Sequence, residues 1–139
     1  MEKLFLDTNV VLDLIEKREP FVYNAALLFQ LRMDGVCKLF VSDLTIVNIA
    51  YIVRKSYSKE KLYAILDKLY SFLVIVPGGA TVIGRAIESQ ANDFEDSVQY
   101  YAACQAKVDY MITRNKKDYS FSEIEVLTPQ EYMFLKHIV

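Results

Sequence analysis

Four segments carry side chains whose types and spacing could do chemistry: Asp7-Thr8-Asn9, the lone Asn48, Asp93-Phe94-Glu95-Asp96, and Arg114-Asn115-Lys116-Lys117-Asp118. Asp7 directly follows the apolar run Leu4-Phe5-Leu6. A carboxylate at the end of a strand faces a cleft, and a hard divalent cation takes oxygen ligands of this kind. Asp also caps helices by accepting a backbone N–H, so the tripeptide alone supports both readings. In the second acidic group Asp93 and Asp96 lie three apart and share one helix face, while Glu95 projects elsewhere. Acids at a cap and in a first turn also suit the positive end of a helix. Capping explains Asp93 better than Asp96, which stands just ahead of the apolar Val98, Tyr100 and Ala102–Cys104. A carboxylate beside such a surface needs a partner, and a metal ion would serve.

Asn48 interrupts the apolar stretch Ile46–Ala50. A buried amide left unbonded costs about 1–3 kcal/mol, so Asn48 either makes a core hydrogen bond or turns into a cleft. The segment from Arg114 to Asp118 joins three cations to two oxygen-bearing side chains. It reads as a solvated turn or, more sharply, as a phosphate-contacting edge beside a metal site. Other chemistries are poorly served. The single histidine, His137, lies two residues from the C-terminus, which argues against His-based triads and His–metal clusters. Cys37 and Cys104 have no CxxC spacing and read as small buried hydrophobes in a reducing, cytoplasmic setting.

The elements that must position these residues follow from the apolar pattern. The 139 residues suit one domain, expected over 1–139, and 53% hydrophobic content supports a core without disulfide or metal staples. The longest apolar runs fall short of a membrane span, and the N-terminus leads into a strand rather than a signal peptide. A net charge of −2 argues against broad nucleic-acid affinity, so any RNA contact needs a local basic patch. Strands are expected at Lys3–Leu6, Lys38–Val41, Phe72–Val76, Tyr110–Thr113 and Glu125–Leu127. Helices are expected at Asn9–Lys17, Phe21–Met33, Asp43–Lys55, from the Ser58 cap to about Ser71, Ala80–Ala91 and Asp93–Lys107, with a last one opened by Thr128-Pro129. Strands separated by helices imply an α/β layer fold with a mostly parallel central sheet of about five short strands. In such sheets ligands gather outside the carboxyl ends of the strands, and that rule brings Asp7, Asn48, Arg114, Asn115 and Asp118 toward one edge.

The order of these features resembles the PIN-domain nucleases, and in particular the toxin ribonucleases of the VapC type. The matching stretches are Leu4–Val10, Ser42–Tyr51, Asp93–Ala103, and Ile112–Tyr119 with Leu127–Tyr132, which together span essentially the whole chain. The resemblance implies a three-layer PIN-like fold and hydrolysis of RNA phosphodiester bonds by a water that Mg²⁺ or Mn²⁺ activates. By position it makes Asp7 and Asp96 the metal ligands, Asp93 and Asp118 further catalytic acids, and Asn9, Asn48, Glu95 and Asn115 accessory site residues. Phosphate contacts would come from Arg54, Lys55, Arg114, Lys116 and Lys117. It further implies a homodimer silenced by a small antitoxin.

Two positions depart from the family's pattern. Asn48 stands where Glu is common, and Asn115 where Asp is frequent. Each keeps an oxygen and removes a charge, which lowers the expected metal affinity and weakens the case for a second ion. The alternative is a PIN-fold RNA-binding or protein-interaction module without catalysis. Dehalogenase-type phosphotransferases fit poorly, since Asn9 stands where their second acid belongs, and Asp7 comes too early for a response-regulator receiver.

Overall fold

The computed structural model describes residues 1–137; the last two residues of the expected domain lie outside the described residues. Five strands form one sheet: β1 (Glu2–Leu6), β2 (Cys37–Ser42), β3 (Val74–Val76), β4 (Tyr110–Ile112) and β5 (Glu125–Leu127). Their spatial order is β3-β2-β1-β4-β5, and all four pairings are parallel. The sheet is flanked by α1 (Thr8–Ile15), α2 (Val22–Met33), α3 (Asp43–Val53), α4 (Lys59–Phe72), α5 (Gly79–Ser89), α6 (Phe94–Ala106) and α7 (Pro129–Leu135). A short 3-10 turn covers Lys116–Tyr119.

Strands buried on both faces read as continuous apolar runs, and here alternate residues serve opposite layers. Leu4, Leu6, Leu39, Val41 and Ile112 face one core, closed by Val10, Val11, Leu28, Ile49, Val53, Leu69 and Tyr132 of α1, α2, α3, α4 and α7. Phe5, Phe40 and Met111 face the other, closed by Val82 and Ala86 of α5 and by Val98, Ala102 and Ala103 of α6. The expected three-layer arrangement is therefore the one observed. No helix among the described residues is long and apolar enough to cross a membrane.

Several boundaries differ from the sequence expectation. The third strand is shorter than Phe72–Val76 because α4 continues through Phe72, whose ring packs 6.3 Å from that of Phe29 under the Arg32 guanidinium. A strand-favouring residue is thus taken into a helix by its packing. The first helix stops at Ile15 rather than Lys17, and Lys17 turns to a φ of 51°. The caps follow the sequence closely: Ser42, Ser58 and Thr128 each accept the backbone N–H three residues on.

A buried polar knot joins three helices at the carboxyl edge of the sheet. Gln99 of α6 is 1% exposed. Its amide nitrogen donates to Oγ1 of Thr45 (2.7 Å) and of Thr8 (3.3 Å), and its carbonyl accepts from the Ser42 hydroxyl (2.8 Å). Thr8 and Thr45 also share a hydrogen bond of 2.9 Å. Replacing Gln99 by Leu keeps most of the volume but strips these hydroxyls of partners, so stability should fall by about 1–3 kcal/mol. A urea titration monitored by circular dichroism reads this directly.

Candidate active site

The topology reverses at β1, which has β2 on one side and β4 on the other, and a crevice at such a point is where parallel sheets bind ligands. Asp7 leaves β1 at that place and Thr113 leaves β4 beside it. The Asp7 N–H donates to the Ile112 carbonyl (2.9 Å), extending the ladder past both strands. The Thr113 hydroxyl then donates to Asp7 Oδ2 at 2.8 Å. Asp7 stands at the cap position of α1, yet its side chain makes no cap hydrogen bond. The carboxylate is held by a threonine instead and lines a cavity of about 440 Å³ with Thr8, Asn9, Asn48, Glu95, Asp96 and Asp118.

Opposite, α6 opens with Asp93 as its cap, accepting the Asp96 N–H at 2.9 Å. The capping reading of Asp93 is therefore correct, and the residue also lines the cavity. Asp96 is half-buried and accepts from the Tyr119 hydroxyl at 3.4 Å. Glu95 does not project elsewhere as expected from its helix position. Its long arm crosses to α3, where Oε1 accepts from the Asn48 amide at 3.0 Å. Asn48 thus turns into the cleft rather than forming a core hydrogen bond. Asp118 is carried into the cavity wall by the 3-10 turn. Asn115, three residues earlier, directs its backbone N–H to Thr113 Oγ1 and is not among the cavity-lining residues.

So many acids at one edge oppose their own ionisation. Burial, reinforced by the charges of Asp118 and Glu95, raises the Asp7 carboxyl above its ordinary value against the opposing hydrogen bond from Thr113. Burial and the charges of Asp93, Asp7 and Asp118 push Asp96 up to about 7. Burial and the neighbouring Asp7 and Asp96 raise Tyr119 as well, so its hydroxyl remains a donor. Among the described residues no three His, Cys, Asp or Glu side chains converge tightly enough to enclose an ion. The donors are all oxygen and their negative charge is uncompensated, which suits a hard divalent cation that retains much of its water.

The cations divide. Arg114 is occupied: its Nε donates to Oδ2 of Asp13 at 2.9 Å and its guanidinium lies over the Phe21 ring at 4.2 Å. The structure gives it a supporting task, because Asp13 is only 2% exposed and needs a charge partner. Lys116 pairs with Glu131. Arg54 stacks 3.7 Å from the ring of Tyr51, a cavity-lining residue, and Lys55 follows it, exposed. Lys117 lines a second and larger cavity, of about 950 Å³, that shares Asp93, Asp96 and Asp118 with the first.

Sequence reasoning took in Thr113 and Tyr119 only as members of the matching stretch Ile112–Tyr119, and did not single out Gln99 or Asp13. Thr113 carries a signal as the polar residue ending the strand beside that of Asp7. Asp13 does too, as a single acid in the apolar run from Val10 to Ile15. Gln99 sits one turn beyond Asp96 among apolar neighbours, a spacing that places it on the same helix face.

An all-parallel sheet with acids gathered at its central switch point defines a class of α/β proteins that present oxygen donors in the ligand-binding crevice. The family model for the PIN domain matches residues 3–117, and the chain belongs to that family. It is similar to Ribonuclease VapC1 of Aquifex aeolicus (strain VF5), with 27% identity over 136 residues covering 94% of this chain and 93% of the relative. Among solved structures, VapBC2 from Rickettsia felis bound to a promoter DNA fragment shares the fold at a TM-score of 0.67 and 21% identity. That match covers 91% of this chain and 98% of the other. A toxin–antitoxin complex from Klebsiella pneumoniae gives 0.67 and 20% identity, covering 91% and 97%. VapBC-1 from nontypeable Haemophilus influenzae gives 0.69 and 15%, covering 92% and 98%.

Two consequences can be measured. Arg114→Met leaves the Asp13 carboxylate with only the more distant Arg18, at 3.8 Å, and should cost about 3 kcal/mol in denaturant unfolding. Asp96 holds its proton to about pH 7 in the folded chain but to its ordinary 3.8 when unfolded, so its ionisation lowers stability as pH rises through that interval. In the presence of chelator at pH 8, Asp96→Asn should therefore melt a few degrees above the wild type, and the gap should narrow as the pH is lowered toward 4. Equal melting temperatures across that range would show Asp96 to be unstrained.

Proposed function

We propose that this chain is a divalent-cation-dependent endoribonuclease, the toxin of a toxin–antitoxin pair. The observation that carries the reading is the convergence of Asp7 and Asp96 on one cavity at the switch point of the sheet, with Glu95, Asp93 and Asp118 around them. The name of the Aquifex relative and the toxin–antitoxin complexes that share the fold support it.

In this mechanism Asp7 and Asp96 would hold Mg²⁺ or Mn²⁺, which would supply charge neutralisation at the phosphate and an activated water. Thr113 restrains the carboxylate of Asp7 and Tyr119 that of Asp96, each through one oxygen. Glu95, held by Asn48, and Asp118 bound the sides of the cavity and can orient water there. Asn9 adds a neutral amide beside Asp7. Lys117, Arg54, Lys55 and the exposed Lys116 are the cations we assign to phosphate contacts, while Arg114 is engaged by the buried Asp13. The antitoxin partner, supported by the toxin–antitoxin complexes that share the fold, and a homodimeric assembly, supported by the exposed apolar Val47, Tyr51 and Ile52 on α3, belong to the same proposal.

The loss of charge at Asn48 and Asn115 favours the non-catalytic alternative, and one experiment separates the two. Cleavage of a structured RNA should require Mn²⁺ or Mg²⁺ and should fall at least a hundredfold in Asp7→Asn and Asp96→Asn, read by gel with purified variants. Mn²⁺ should also raise the melting temperature of the wild type by linkage and leave Asp96→Asn nearly unmoved. No cleavage together with no shift would make the chain a binding module.

A further inference from the structure

The larger cavity lies on the far side of the acids from Asn48, between the α5–α6 connection and the segment after β4. Its wall carries three aromatic rings of α6 and the following loop. Tyr100, buried, meets Tyr101 and Phe121 edge-on, each at 5.1 Å between centroids. Tyr100 is fixed in turn, its hydroxyl accepting the Glu123 N–H at 3.1 Å. Two planar groups are left on this rigid wall for a ligand. One is Phe121, a phenylalanine 44% exposed beside an acidic site. The other is the guanidinium of Arg85, which reaches from α5 and lies over the Tyr101 ring at 4.7 Å. The amides of Gln90 and Asn92, the Ser120 hydroxyl and the Lys117 ammonium complete the lining.

We infer that this cavity is a nucleobase subsite that takes an unpaired RNA base next to the scissile phosphate, stacked on Phe121 and the Arg85 guanidinium. The inference rests on the nuclease reading above and adds where, and in what form, the substrate is held. Three observations favour a base over another ligand. The cavity shares Asp93, Asp96 and Asp118 with the acid site, so whatever fills it is continuous with the group at the acids. Exposed aromatic and guanidinium planes are the platforms on which unstacked bases rest. The rim offers both donors and acceptors from amides and hydroxyls, which suit base edges, and a lysine for the backbone. A duplex buries its bases against one another and cannot present a face to Phe121. The site thus selects single-stranded or looped RNA despite the chain's net charge of −2.

The test uses a single-stranded RNA with one cleavage point and a series in which each flanking nucleotide in turn is abasic. In the wild type with Mn²⁺, removing one base adjacent to the cut should lower kcat/KM about tenfold, mainly through KM. The same base removal should have almost no further effect in Phe121→Ala, which should itself be about tenfold impaired on the intact RNA. Phe121→Tyr should retain activity, and Arg85→Lys, which keeps the charge but loses the plane, should weaken binding several-fold without relying on a variant that touches the core. If the wild type cleaves and every abasic effect is undiminished in Phe121→Ala, the subsite is overturned while the nuclease stands. If nothing cleaves, fluorescence anisotropy with the same RNAs decides alone. Tighter binding of the intact than of the abasic RNA, lost in Phe121→Ala, supports the subsite in a non-catalytic protein, and equal binding overturns it.

Discussion

The acids of this protein hold their places because a single buried amide, that of Gln99, is fully hydrogen-bonded where three helices meet the sheet. Thr8 opens α1 right after Asp7, Ser42 and Thr45 open α3 ahead of Asn48, and Gln99 lies one turn beyond Asp96. Each of the three α-helices that contribute a site residue thus enters the same polar knot. Buried and nearly water-free, such a network tolerates few alternative arrangements, because any shift leaves a donor or acceptor unmet. Apolar packing on the two faces of the sheet supplies the bulk of the stability, but it would allow the helices to slide. The knot sets their register, and with it the distance between Asp7 and the first turn of α6.

Above the knot the site runs against folding stability. Asp7 and Asp96 are both less willing to ionise here than in water, and burial is the leading cause for each. The protein offsets part of this with donors fixed close by, the Thr113 and Tyr119 hydroxyls, which restrain the acids without neutralising them. Asp13 shows the contrasting solution nearby. It is more deeply buried than Asp96, but Arg114 and Arg18 sit on it. One buried acid is compensated and serves the scaffold, whereas the others remain in want of a cation.

The layer class, the parallel sheet and most caps were legible because they depend on local patterns: apolar runs of strand length, Ser or Thr ahead of helices, and Pro129 at the first turn of α7. Legibility failed at Phe72, where contact with Phe29 overrides strand preference, and at Glu95, where a long side chain crosses to a neighbouring helix. Position along the sheet edge was enough to gather Asp7, Asn48 and Asp118. Sidedness was not available from it, since which way Arg114 turns depends on Asp13, a residue remote in sequence and adjacent in space. The roles of Thr113, Tyr119 and Gln99 are all defined by partners that the chain order does not reveal.

The hydrogen bond between Thr113 and Asp7 joins residues 106 positions apart. Asp118 and Tyr119 come later still, so the site draws on both ends of nearly the whole polypeptide. Contacts of such long separation close late, after the intervening loops have been ordered. During synthesis on the ribosome, Asp7 emerges early and waits without its donor until β4 has left the exit tunnel and added itself to the other edge of β1. A nascent or prematurely terminated chain therefore carries the first acid but not the centre. The order of the strands in the sheet makes assembly of the site one of the last events in making the protein.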